Sequence, residues 1–147
     1  MAIDTSAIGK EYEPLLYAVG REKVGEYARA VGEKDPLYLD VAAARSAGYA
    51  DVVAPPMFAA VYCGPAIERA MFDPDVGIDF GKLVHGAQRF EWGPLVVAGD
   101  EISTVVEVES IEERRGNGIY IFGSSSRNQR DEVVCVGTWT NYVRAAD

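Results

Sequence analysis

The segment Gly32-Glu33-Lys34-Asp35-Pro36-Leu37-Tyr38-Leu39-Asp40 sets three carboxylates and a phenol close together on the chain. A positioned carboxylate can give or take a proton in general acid–base chemistry, so Glu33 is a candidate for either role. A solvated carboxylate at a helix end is the plainer reading of the same residue. Tyr38 is a poor base. A phenol with pKa of about 10 stays protonated near neutrality, where an imidazole of about 6.5 accepts a proton. Its expected role is a packing aromatic whose hydroxyl finds a partner. Asp40, directly before Val41, is placed to cap a helix. His85 is the one histidine, so any imidazole mechanism within this chain must use it. The alternation Leu83, His85, Ala87, Arg89, Glu91 puts it on a strand face with two charged residues, which fits a structural or ion-paired histidine better than a base. Arg89 reads as a surface partner.

A binding site has a second source. Pro55 and Pro56 sit where a first helical turn tolerates proline, and free N–H groups at the helix start, Pro56-Met57-Phe58, could hold a carbonyl or a developing oxyanion. Phe58, Tyr62 and Phe72 could line an apolar channel, although any buried helix would carry such residues.

The elements that must position these groups follow from periodicity and punctuation. Tyr12 to Val19 reads as a first strand at a sheet edge, with Pro14 near its start. Arg21 to Val31 has apolar Val24, Tyr27, Ala28 and Val31 at helical spacing and ends at Gly32. Asp35-Pro36 reads as an irregular loop. A short helix, capped by Asp40, runs from Val41 to Ala47 and stops at Gly48. Pro55 to Met71 is a buried helix that Pro65 should break or kink by crowding the Val61 carbonyl. Its Ala59, Ala60, Gly64 and Ala66 would let a sheet approach closely. From Leu83 onward the chain is strand-like, with a hairpin at Gly116-Asn117-Gly118 and a second turn over Asn128 to Glu132. Val133, Cys135, Trp139 and Val143 should share a face of the last strand. Helices early and an antiparallel meander late make the class α+β, in one domain spanning residues 1–147.

Composition excludes several classes. A net charge of −9 argues against nucleic acid and anionic membranes as partners. Met1 to Lys10 lacks a basic region followed by an apolar run, and no apolar stretch is long enough to span a bilayer, so the expected location is cytoplasmic. Cys63 and Cys135 read as buried free thiols of a reducing compartment. No metal or cofactor is called for.

Further segments complete a pattern: Arg21-Glu22-Lys23, Val53-Ala54-Pro55-Pro56, Val84-His85-Gly86-Ala87-Gln88-Arg89-Phe90 and Ala98-Gly99-Asp100. With the loop above, they resemble the MaoC-like hydratases, and within them the FAS1-like dehydratase N-terminal domains that include small subunits of actinobacterial (3R)-hydroxyacyl-ACP dehydratases. The resemblance implies a hot-dog fold, an antiparallel sheet wrapped around a long central helix. In catalytically competent members the loop resembles Gly-Asp-x-Asn-Pro-x-His-x-Asp, and its first Asp and its His are implied to do the acid/base work. Glu33 falls at that Asp, Asp35 at the Asn and Tyr38 at the His, so both catalytic positions depart from the pattern. Glu33 carries an extra methylene, and a misplacement of about 1 Å can cost roughly a hundredfold in rate. The implied function is therefore a subunit of an acyl-CoA or acyl-ACP dehydratase in fatty-acid-type metabolism, inactive alone, whose partner hot-dog chain supplies Asp and His. Two other readings stand beside it. One is a homodimer that binds acyl thioesters without turnover; the other is a thioesterase using Glu33 or Asp35 to activate water.

Overall fold

In the computed structural model, which describes residues 3–145, five antiparallel strands form one sheet that holds a helix against its inner face. Residues 1, 2, 146 and 147, at the ends of the expected domain, lie outside the described residues. The strands are β1 (Glu11–Ala18), β2 (Leu83–Trp92), β3 (Glu101–Arg114), β4 (Asn117–Arg127) and β5 (Val133–Val143), in the order β1-β3-β4-β5-β2. The Pro14-bearing β1 is an edge strand, as a missing N–H donor favours, and its register slips between Tyr12 and Leu15. β2 forms the opposite edge.

Helix α1 (Arg21–Ala30) stops at Gly32, whose φ of 77° suits glycine. The Glu33 N–H donates to the Ala28 carbonyl at 2.8 Å and the Gly32 N–H to that of Arg29, a Schellman ending that fixes where Glu33 leaves the helix. The expected loop at Asp35-Pro36 is instead a one-turn helix, α2 (Pro36–Leu39). Asp35 accepts from the Leu37 N–H at 2.9 Å and Pro36 occupies the first turn, so the sequence carried a cap and a helix-starting proline there. Asp40 then caps α3 (Val41–Ser46), accepting from the Ala42 and Ala43 amides at 2.8 and 3.4 Å.

The central helix differs from expectation at both prolines. Pro56–Phe58 is a 3-10 turn, and the α-helix proper, α4, spans Ala59–Met71. It runs unbroken through Pro65, whose ring sits on the exposed side. Ala59, Cys63, Ala66 and Ala70 form its fully buried stripe, at the i, i+4, i+7, i+11 spacing of one helix face; Ala60 is exposed and Gly64 half-buried. Against this stripe the sheet presents Ile102, Val106, Val108 and Phe122. The polar groups caught between are paired: Ser126 Oγ lies 2.8 Å from Thr104 Oγ1 and 3.4 Å from Cys63 Sγ, while Trp139 Nε1 donates to Ser124 Oγ at 2.9 Å. Cys63 and Cys135 are both free and buried.

The β3–β4 hairpin closes over Arg115 and Gly116, with φ of 53° and 81°. Asn117, expected in the turn, pairs with Arg114 inside the ladder and accepts from the Ala145 N–H at 2.9 Å.

Candidate functional site

Sheet-to-loop bonds bring the Glu33 segment and the start of the central helix together. The Val53 N–H donates to the Leu37 carbonyl at 2.9 Å, so α2 is tied to the strand-like run that delivers Pro55 and Pro56. That run is in turn held by the Ala54 N–H on the Val96 carbonyl at 2.8 Å and the Ala98 N–H on that of Val52 at 2.9 Å. Arg21 clamps the same region from α1, donating to both oxygens of Asp51 at 3.0 and 2.7 Å. Arg21 holds the Asp51 carboxyl below its ordinary range.

A cleft of about 380 Å³ results, lined by Tyr27, Val31, Glu33, Pro55, Pro56 and Met57. Of the three carboxylates in the loop, Asp35 and Asp40 spend an oxygen each on capping. The Glu33 carboxylate has no hydrogen-bond partner among the described residues, and Glu33 lines this cleft. Tyr38 is half-buried, and its phenol pKa is raised by burial and then by the charges of Glu33 and Asp35. The fold therefore keeps Tyr38 protonated, with even less phenolate available to serve as a base than in free tyrosine.

The expected row of donors at the helix start is short. Pro55 and Pro56 have no N–H, and the Phe58 N–H is taken by the Pro55 carbonyl at 2.8 Å. The Met57 amide alone remains, beside a half-exposed side chain. Phe58, expected to line a channel, is fully buried with Tyr17, Tyr27 and Tyr62 packed edge-on or tilted around it. Phe72 is 65 % exposed and stacks on Phe80, away from any channel role.

On the other side of the Pro55–Pro56 wall is a smaller, apolar cavity of about 170 Å³. Tyr62 and Val134 are among its buried residues, and Trp92, Leu95 and Val96 close its flank. Trp92 Nε1 donates to the Pro56 carbonyl at 2.8 Å, which locks the edge of β2 to the helix start. Of the binding residues expected from sequence, Pro56 borders both spaces, Met57 the cleft and Tyr62 the cavity. Trp92, Val96 and Val134 escaped sequence reading because they come from β2, a loop and β5, with only general apolarity to mark them.

His85 is not part of this arrangement. A bulge between His85 and Ala87 shifts the β2 register, so His85 pairs with Asn141 while Arg89 pairs with Thr138. These partners lie on opposite faces of β5, and the expected common face for His85 with Arg89 and Glu91 is lost. The bulge residue is Gly86, where a Cβ would fall 2.0 Å from the Tyr142 ring. His85 Nδ1 instead sits 3.4 Å from Asn141 Oδ1, with its ring edge-on to Trp139, and Arg89 pairs with Glu91 at 2.6 Å. Trp92, which touches Pro56, is seven residues further along β2, or roughly 20 Å at a strand's rise.

The FAS1-like dehydratase domain region family matches residues 6–136 of this chain. The chain belongs to that family. Among its relatives, a UPF0336 protein of Saccharopolyspora erythraea is 40% identical over 145 residues, covering 98% of this chain and 93% of the relative. A UPF0336 protein of Thermobifida fusca is 39% identical over 145 residues, with 98% and 95% covered. The C-terminally truncated HadBC (3R-hydroxyacyl-ACP dehydratase) complex of Mycobacterium tuberculosis superposes with a TM-score of 0.81 at 29% identity, covering 95% of this chain and 99% of that one. The R-hydratase PhaJ1 of Pseudomonas aeruginosa gives 0.73 at 18% identity, covering 95% and 83%, a likeness of fold alone. The FAS1-like dehydratase fold is thus the hot-dog, with α4 as its central helix. Among the described residues no helix is long and apolar enough to cross a membrane, and no three His, Cys, Asp or Glu side chains group to hold a metal.

Proposed function

We propose that this chain is the non-catalytic subunit of a (3R)-hydroxyacyl thioester dehydratase, working on acyl-CoA or acyl-ACP, whose partner hot-dog chain supplies Asp and His. Syn elimination of water needs a base for the proton beside the carbonyl, an acid for the departing hydroxyl and donors for the thioester oxygen. The observation that carries the reading is Tyr38, a phenol of raised pKa at the loop position where competent members resemble histidine. His85, roughly 20 Å along β2 from the Pro56 wall, does not replace it. What this chain offers is a wall of the acyl site, one free amide at Met57 and sheet area.

The partner's place is the β2 edge. Among the described residues its backbone has no strand beyond it, and Val84 and Trp92 are about half exposed along it. An open edge of ten residues is a ready template for a second sheet. The same edge would serve a homodimer, the arrangement of the binding-protein reading. Assay of enoyl-thioester hydration with crotonyl-CoA separates them. The purified chain is expected to give no measurable rate and a co-expressed partner carrying Asp-x-Asn-Pro-x-His to restore it. Robust turnover by the chain alone would sink the division of labour. Release of free CoA that Glu33→Gln abolishes would favour the thioesterase instead.

A further inference from the structure

His85 takes no part in the cleft of its own chain, yet the fold holds it in a definite place. It stands on the same sheet face as the Pro56 wall: its ring is edge-on to Trp139, Trp139 meets Phe90 at 5.5 Å between ring centres, and Phe90 meets Trp92, whose Nε1 binds the Pro56 carbonyl. The bulge at Gly86 puts it there. Without the extra residue His85 would alternate to the outer face with Arg89 and Glu91. Asn141, 2 % exposed, sets its Oδ1 3.4 Å from Nδ1 and so favours the proton on that nitrogen. An imidazole held in this way offers Nε2 as an unprotonated acceptor, and Nε2 has no partner among the described residues. The residue itself is exposed, on the strand that forms the open edge.

Two chains of one fold that join through the same strand are related by a two-fold, and a strand hydrogen-bonded to its counterpart in this way runs antiparallel to it, with the inner faces of the two sheets continuous. Paired over all ten residues of β2, His85 stands across from the partner's counterpart of Phe90 and two residues from its counterpart of Trp92. By strand spacing and rise that is roughly 8 Å from the partner's wall, against roughly 20 Å to the wall of its own chain. We infer that His85 belongs to the partner's active site, where its Nε2 accepts a hydrogen bond from an amide N–H of the pantetheine arm of the bound acyl thioester. The partner's Asp and His act on the reacting atoms, which leaves the arm, common to CoA and ACP, for an acceptor beside them. The inference rests on the dehydratase-subunit reading for the partner and its substrate; the placing of His85 rests on the bulge, the Asn141 contact and the open edge.

Hydration kinetics of the co-expressed complex test this, with co-elution on size-exclusion chromatography checking that each variant still binds the partner. His85→Ala and His85→Phe should each raise the KM for crotonyl-CoA about fivefold with kcat within about twofold of the parent, as expected for one hydrogen bond made alike in the ground and transition states. His85→Phe keeps a ring against Trp139, so a packing role alone would leave it equal to the parent. His85→Gln keeps an acceptor near the Nε2 position and should bring KM back towards the parent value. Crotonyl-pantetheine, which has the arm but neither nucleotide nor carrier protein, should show the same fivefold ratio, and the parent complex's preference between crotonyl-CoA and crotonyl-ACP names the carrier. An active complex in which His85→Phe leaves KM unchanged, or in which the ratio vanishes with crotonyl-pantetheine, overturns the inference and leaves the dehydratase reading in place. Loss of co-elution in the His85 variants also overturns it, since His85 would then be a contact that joins the chains. A complex in which even the parent chain supports no hydration removes the dehydratase reading and the inference with it.

Discussion

Tyr38 carries its proton more tightly in the fold than in water, because burial and the neighbouring carboxylates of Glu33 and Asp35 all oppose a phenolate. Removing the hydroxyl therefore costs no base. In the reconstituted complex, Tyr38→Phe should keep turnover of crotonyl-CoA within about twofold of the parent, whereas loss of a true catalytic base costs on the order of a hundredfold or more. Burial acts on the cysteines in the same direction, raising Cys63 and pushing Cys135 up to about 11. The thiolate is the reactive form, so neither should react with an aromatic disulfide reagent at mildly alkaline pH until denaturant is added. Rapid labelling of the folded chain, followed by absorbance, would show that α4 and β5 open readily.

The elements that set the cleft are short, and their ends are where they are vulnerable. Asp40 satisfies two amides of α3, so Asp40→Ala should lower stability by about 1 kcal/mol, read as a shift of the urea midpoint at unchanged slope. Gly32→Ala should cost a similar amount of about 1 kcal/mol, since an alanine resists the φ of 77° that the Schellman ending needs. That variant should also displace Glu33. Such element ends were largely legible: the Gly32 and Gly48 stops, the Asp40 cap and the edge position of β1 all follow from residue type. Asp35-Pro36 was misread because the turn residues of a loop and the capping residues of a helix are the same residues. At Pro65 the expected break does not occur, because a proline on the solvent side of a packed helix is held by the core contacts of the rest.

At the scale of the whole molecule, one ionic cluster ties the first strand to the end of the central helix. Lys10 lies 2.6 Å from Asp73 and 2.8 Å from Asp75, and the Tyr12 hydroxyl donates to Asp73 at 2.7 Å. Lys10, then Tyr12, lower the Asp73 pKa from its ordinary 3.8 to about 2. A depressed carboxylate stabilises the fold above its unfolded pKa and loses that contribution as pH falls through the folded value, so the loss should run from about pH 4 down to about pH 2. Asp73→Asn should remove about 1 kcal/mol at neutral pH and much less at the acid end, as followed by thermal melts across that range. The proposed docking of a partner at the β2 edge is tested at the same scale. Val84→Lys on the open β2 edge should leave the chain folded and remove its co-elution with the co-expressed partner on size-exclusion chromatography.

The sequence by itself determined the α+β class and most element boundaries, because these depend on periodicity, capping and residue type over a few neighbouring positions; the hot-dog architecture and the mismatch at both implied catalytic positions of the loop came from the resemblance to the MaoC-like hydratases. Tertiary structure alone decided that Pro56 forms a wall between two spaces, that Phe58 belongs to the core, and that Trp92, Val96 and Val134 meet across it. It also decided that a single bulge at Gly86 turns His85 away from Arg89. Side-chain direction in a strand reverses with every residue, so one extra residue, set by a partner strand far away in the chain, inverts what local alternation implies.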